Sequence, residues 1–278
     1  MPTIGWTMFG LYPSVATFFY SFTQYSGVPG TPLNVCGLCN YAAATSSLLS
    51  NVAGAIWTTV KFAVGVTVVQ TALSLGLALI FQRRGRSFTF YRAIIFLPGI
   101  LSVPIVGGMF SLLLDPVSGP VGELFRNAFG IESAFLGSGR ISLFLIMGIT
   151  IWMGCGYGMI IFIAGLRAIP RESYEAASVD GAGRFRTFRH ITWPLLAPAT
   201  TVCVFLTSMA ALGEFALVLV LTEGNFGTKT LGVYMFTSAF GTSSQLGYGS
   251  MIAIVQFFLT LLIGGGLLLA LRRREVTL

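Results

Sequence analysis

The sequence predicts an all-α membrane protein with about six transmembrane helices. Three observations carry this. Only 9% of the 278 residues are Asp, Glu, Lys or Arg and the mean hydropathy is +0.84, whereas a typical soluble domain is about 25% charged. Six apolar stretches each reach the length needed to cross about 30 Å of hydrocarbon. Those stretches are continuous and do not alternate between apolar and polar residues, as the strands of a membrane barrel do. Helices, which satisfy their own backbone, are the remaining way to cross lipid.

The stretches follow in order along a single transmembrane domain, 1–278. The first covers residues 4–22 and is interrupted by Pro13. The second covers 55–81. The third, 93–114, contains Pro98 and Pro104. The fourth, fifth and sixth cover 141–166, 199–221 and 249–271. The fourth holds Gly148, Gly154, Gly156, Gly158 and Gly165, and the sixth holds Gly264, Gly265 and Gly266. Two readings stay open for these glycines: close helix packing through small residues, or a locally irregular helix beside a solute path. The G-x-G-x-G at 154–158 is not a nucleotide loop, because no strand or soluble βαβ setting precedes it. Met1 to Phe9 carry no basic segment, so no cleavable signal is expected.

The formal charge is +7, yet the basic residues sit in short clusters between apolar stretches. That is the pattern of membrane topology and not of a nucleic-acid surface. One set of loops holds Arg83, Arg84, Arg86 and Arg92, then Arg167, Arg171, Arg184, Arg186 and Arg189, then Arg272, Arg273 and Arg274. The opposite set holds Lys61, Arg126, Arg140 and Lys229. The positive-inside rule therefore puts both termini in the cytoplasm of a bacterial-type cell membrane and turns residues 24–51 outward. Cys155 and Cys203 fall in apolar stretches and read as small hydrophobic residues. Cys36 and Cys39 form one C-x-x-C. No second pair or nearby His completes a zinc site, so no metal is expected, and a disulfide and two free thiols both remain open.

The most informative segment is the loop over residues 167–198. Pro170 suits a helix start, Glu172 the positive end of the dipole, and Gly181 and Gly183 a stop. A short helix is expected from 170 to 180, with Ala176 and Ala177 small enough for another surface to approach. The spacing Glu175-Ala176-Ala177, three residues, Gly181, nine residues, Ile191, one residue, Trp193-Pro194 resembles the coupling motif of ATP-binding-cassette importer permeases. The one departure is Trp193, where the family usually has Leu. Tyr12-Pro13 with Ser21-Phe22, Gly37-Leu38-Cys39-Asn40-Tyr41, Arg92 with Phe96-Leu97-Pro98, Ala164-Gly165-Leu166 and Ile169-Pro170 extend the resemblance toward the carbohydrate-uptake, maltose-type branch. That branch usually has Asp where Cys39 stands. The start is shorter than usual, and Thr222-Glu-Gly-Asn-Phe-Gly227 replaces a more Gly-rich loop.

The resemblance implies a type I importer-permease fold with a cytoplasmic coupling helix. It implies a second homologous permease, two ATP-binding-cassette ATPase subunits and an extracytoplasmic solute-binding protein as partners, with lipid around the spans. Glu175, Ala176, Ala177, Asp180, Gly181 and Ala182 would form the joint with an ATPase. The chain has no G-x-x-x-x-G-K-[ST] loop, so no cofactor is expected in it, and ATP and Mg would belong to the partner. No catalytic residue is expected.

For the solute path the candidates are Trp152, Tyr157, Glu214, Tyr234 and Gln256, read as inward-pointing polar and aromatic residues of the fourth to sixth spans. Packing or interface anchoring explains most of them equally. Glu214, placed deep in the fifth span, must avoid lipid. It is left between an interhelical bond and a solute contact. An importer of a non-sugar solute is the alternative. An ion-coupled secondary transporter would need more intramembrane acids or histidines, and a membrane enzyme a nucleophile–base pair or metal ligands.

Overall fold

The computed structural model describes residues 5–46, 49–83, 85–115, 119–129, 135–139, 141–242 and 244–272. The start of the first expected span at Ile4, and Arg84, Arg140, Arg273 and Arg274 of the charge pattern, lie outside the described residues. A π-helical turn, Thr7–Leu11, runs into α1, Tyr12–Tyr20. The register changes just before Pro13, whose missing N–H removes one helical bond there. α2 is Cys39–Ser46 and α3 is Leu49–Phe81. At 1.5 Å per residue the latter is about 50 Å long. α4 is Arg86–Phe96, followed by a 3-10 turn, Leu97–Ile100, and by α5, Val103–Leu113. α6 is Pro120–Phe129, a 3-10 turn covers Phe135–Gly137, and α7 is Ser142–Ala168.

The loop after α7 contains α8, Arg171–Val179, and α9, Arg184–Thr187. A π turn, Phe188–Thr192, and the single turn α10, Trp193–Leu195, lead into α11, Ala197–Leu212. α12 is Ala216–Thr222, α13 is Leu231–Phe240 and α14 is Leu246–Arg272. Among the described residues the only β pairing is an isolated bridge between Thr23 and Val35.

Among the described residues three helices are long and apolar enough to cross a membrane: Asn51–Phe81, Ser142–Ala168 and Leu246–Leu271. Two bent pairs raise this to five, against the six stretches of the sequence. The expected third stretch is broken at Leu101 and Ser102, where Leu101 is extended between the turn holding Pro98 and the helix holding Pro104. The expected fifth stretch, 199–221, is not continuous either. α11 stops at Leu212, and Gly213, Glu214 and Phe215 separate it from α12. The segment 231–240, which falls between the expected fifth and sixth stretches, forms a helix of its own.

The chain divides into two compact units. Unit 1 is Met1–Lys61, Gly107–Phe144 and Gly213–Leu261, and unit 2 is Phe62–Val106, Leu145–Leu212 and Leu262–Leu278. In unit 1, Ala55, Leu231, Tyr248, Met251 and Ile252 pack together as a buried cluster. The first N–H of α13, on Leu231, is an orphan donor of its own helix, and Thr59 Oγ accepts it at 2.9 Å.

In unit 2 the core is Met159, Phe162, Ile163, Leu166, Leu196 and Cys203. α7 is an unbroken α-helix through its glycines. A Cβ at Gly154 would overlap the Gln70 amide, one at Gly156 the backbone of Ile95 and Phe96, and one at Gly158 the Ser74 side chain. Ser74 Oγ then donates to the Cys155 carbonyl at 3.0 Å. At these three positions close packing, and not helix irregularity, explains the glycines.

Candidate functional site

Within unit 2, α8 begins after Pro170, an extended N-cap whose ring has no N–H to leave unpaired. Glu172 lies in its first turn, where the helix dipole favours an acid. The helix ends on a fixed geometry. Asp180 N–H reaches the Ala176 carbonyl at 3.0 Å, Gly181 N–H the Ser178 carbonyl at 3.2 Å, and Ala182 N–H the Ala177 carbonyl at 2.9 Å. Gly181 has φ +66°. This is a Schellman stop, with Gly181 in the left-handed position and Ala177 supplying the 6→1 carbonyl. The spacing between the Ala pair and the Gly is thus the spacing such a stop requires.

The rest of the loop folds back on α8. Tyr174 Oη and Thr192 Oγ lie 3.3 Å apart, tying α8 to the π turn. Thr187 Oγ donates to the Gly183 carbonyl at 3.2 Å, and His190 Nδ1 lies 3.0 Å from the Arg186 carbonyl. Phe188 and Trp193 rings stand 6.3 Å apart. α9–α10 then meets α11 at 66°. A notch of ≈ 450 Å³ opens on this loop, walled by Ala176, Ala177, Asp180 and Ala182 on one side and by Arg186 and His190 on the other. Ala177 is 6% exposed, while Glu175, Ala176, Asp180 and Gly181 are exposed. Among the described residues no ion pair joins Glu172, Glu175 or Asp180 to the loop arginines. The Glu175 side chain makes no hydrogen bond to another described residue.

The five expected solute-path residues are divided between the units. Trp152 (40% exposed) and Tyr157 (55%) belong to α7 in unit 2. Glu214, Tyr234 and Gln256 belong to unit 1, each half-buried. Glu214 is not deep in a continuous helix. Its Oε1 accepts the N–H of Leu217 at 3.0 Å, capping α12, and its own carbonyl accepts Thr230 Oγ at 3.3 Å. One oxygen of the acid therefore serves a local helix start. Tyr234 lies in α13, outside the expected fourth to sixth spans. Its hydroxyl is 3.3 Å from that of Tyr248, and Lys229 Nζ stands 5.1 Å from its ring centre.

Tyr234 also lines a cavity of ≈ 590 Å³ contained in unit 1, together with Gln24, Tyr25, Asn40, Gln245 and Tyr248. Its walls are held by bonds not anticipated from the residues. Asn40, 8% exposed, donates from Nδ2 to the carbonyls of Ser21 and Thr23, both at 2.9 Å. Tyr41 Oη bonds Ser21 Oγ at 3.1 Å. The Ser21-Phe22 and Asn40-Tyr41 patterns, far apart in sequence, thus close on each other. Cys36 and Cys39 form a disulfide with Cα atoms 5.7 Å apart. Among the described residues no group of three His, Cys, Asp or Glu could hold a metal ion.

Apolar helices of membrane-crossing length define the class: a multi-pass membrane protein. The family model for the inner membrane component of binding-protein-dependent transport systems matches residues 70–276. Among curated relatives, the trehalose/maltose transport system permease protein of Thermococcus litoralis is 30% identical over 260 residues, 91% of this chain and 85% of the relative. The multiple sugar-binding transport system permease protein of Streptococcus mutans is 28% identical over 261 residues, 93% of this chain and 88% of the relative. A solved bacterial alginate ABC transporter, in complex with an alginate pentasaccharide-bound periplasmic protein, contains a chain of the same fold. Its TM-score is 0.84 at 21% identity, covering 99% of this chain and 93% of that one. The chain belongs to the family of binding-protein-dependent transport system inner membrane components.

Proposed function

We propose that this chain is the permease subunit of an ATP-driven importer for a sugar or sugar-like solute. It pairs with a second permease, two ATPase subunits and an extracytoplasmic binding protein. The observation that carries the coupling role is Glu175. It stands exposed on a helix ended by a Schellman stop and has no partner among the described residues of its own loop. A local acid–arginine network, the ordinary explanation for charges in such a loop, is not what these side chains form. A basic residue of an ATPase supplies the missing partner through a charge-assisted bond. Ala176 and Gly181 let that surface approach closely.

On this reading the arginine-rich loops and both termini face the cytoplasm, and residues 24–51 face outward. ATP-driven closure of the partners moves the docked loop as one piece, because Tyr174–Thr192 and the turn stop hold it together. The movement reaches α11, which continues directly from the loop, and biases the spans between inward- and outward-open states. ATP and Mg bind in the partner, and this chain performs no chemistry. Support for a saccharide as cargo comes from the relatives named above.

The test is solute-stimulated ATPase activity of the assembled complex in proteoliposomes, with a sugar panel and an amino-acid panel. Stimulation by a saccharide with its binding protein present is the expected result. Stimulation by the amino acids alone would move the chain to a non-sugar importer, and uptake without the ATPase would overturn the coupling role.

A further inference from the structure

The ≈ 590 Å³ cavity in unit 1 lies within the roughly 300–1,000 Å³ of small-molecule sites. Four separate segments build it: the turn after α1, the start of α2, α13 and the start of α14. Its polar groups fall into two kinds. Asn40 is consumed in clamping the Ser21 and Thr23 carbonyls, and the Tyr234 and Tyr248 hydroxyls face each other at 3.3 Å. The side chains of Gln24, Tyr25, Ser238 and Gln245 make no hydrogen bond to any described residue. Two amides and two hydroxyls that both donate and accept therefore surround a space that also has tyrosine rings on its walls. Charge is absent from the described lining. Lys229 stands against the Tyr234 ring, 5.1 Å from its centre, and is not among the lining residues.

Groups that donate and accept without net charge suit hydroxyls. Ring faces suit the C–H face of a pyranose. An anion would find no cation among the lining residues. We infer that this cavity is a binding subsite for a neutral glycosyl unit on the outward side of the permease. The inference rests on the proposed saccharide import. The subsite receives a sugar unit as it leaves the binding protein, before it enters the spans. The Cys36–Cys39 disulfide and the Asn40 clamp hold its wall in place while the spans move.

The experiment uses the assembled complex with its binding protein in proteoliposomes. Uptake of labelled maltose, maltotriose and trehalose is compared with that of an alginate trisaccharide. Gln24→Ala and Gln245→Ala are the informative variants, because neither side chain holds the fold together. Each is expected to raise the KM for a neutral sugar about five-fold, the effect of one hydrogen bond. The affinity of the binding protein for the complex should not change. Unaltered KM in both variants, with wild-type uptake intact, overturns the subsite and leaves the import reading standing. A loss of binding-protein affinity that accounts for the KM change overturns it in favour of a protein-docking surface. Uptake restricted to the alginate trisaccharide overturns the neutral class. A wild-type complex that transports none of the sugars overturns the import reading itself, and the subsite with it.

Discussion

Units 1 and 2 are built from one chain but carry opposite chemistry. Unit 2 holds twelve of the sixteen Lys and Arg residues, and its described cavities are an apolar one walled by Leu75, Leu79 and Phe162 and the notch of the loop. Unit 1 holds four Lys and Arg against five of the nine acids, together with the disulfide and a neutral cavity of amides and tyrosines. The difference teaches what each unit is made to meet. Surplus positive charge suits an anionic leaflet, and an acid presented on a helix suits a basic protein partner. Uncharged donors and acceptors beside flat rings suit a polyol.

The comparison breaks if lesions in the two units have the same effect. The largest effect is expected in unit 2. Glu175→Lys, which reverses the charge at the joint, should cut ATP-dependent uptake by about tenfold or more. Gly181→Asp should do the same, because a side chain at φ +66° strains the helix stop. Membrane levels should stay near normal in both. Normal uptake by either variant in an intact complex would remove the joint from this loop.

Asn40→Asp probes unit 1. The swap keeps the shape and removes both donated hydrogen bonds, leaving two carbonyls facing a carboxylate. A loss of about 2–3 kcal/mol is expected, read as a lower melting temperature of the purified complex, with ATPase binding retained. Loss of ATPase binding would show that the units are not functionally separable. Replacing both Cys36 and Cys39 by Ser should cost less, about 2 kcal/mol at most, because the closed loop is so short. In the wild type, an impermeant thiol reagent applied to intact cells should label the pair only after reduction. Labelling that requires access from the other face would reverse the proposed topology.

The smallest effect is assigned to Glu214. Glu214→Ala removes the cap of α12 and should cost about 1 kcal/mol. Glu214→Gln keeps an acceptor and should stay within about 0.5 kcal/mol. Neither should alter apparent solute affinity. A change in selectivity with stability intact would return this acid to the solute path.

Legibility in the sequence followed the range of the signal. The loop helix was read at 170–180 and is found at Arg171–Val179, because Pro170, Glu172 and Gly181 act within a turn or two of their own positions. Hydropathy, by contrast, averages over a span. It did not register that Gly213 to Phe215 interrupt an apolar run, or that the ten-residue α13 is a separate helix. The cavity was legible only through Tyr234 and the pattern holding Cys39 and Asn40. Gln24 and Gln245 carry no local pattern, and only the tertiary fold brings them to Asn40. Glu214 drew attention as a rare intramembrane acid, yet its partner is a backbone N–H three residues away, which no charge pattern reveals.

The closure of unit 1 also sets a timetable for synthesis. Ser244 Oγ donates to the Ser26 carbonyl across 218 residues, and Gly247 N–H donates to the Tyr25 carbonyl at 2.9 Å. At about 5–20 residues per second, the ribosome needs on the order of 10–40 s between making the acceptors and making their donors. Throughout that interval the turn after α1 is translated but unlatched. A chain cut before Ser244 never acquires the latch, so truncated products would stay recognisable to membrane quality control. The latch also depends on the smallest side chain, since a Cβ at residue 247 would overlap the Thr23 carbonyl. One substitution near the end of translation could thus undo the placement of the segment made first.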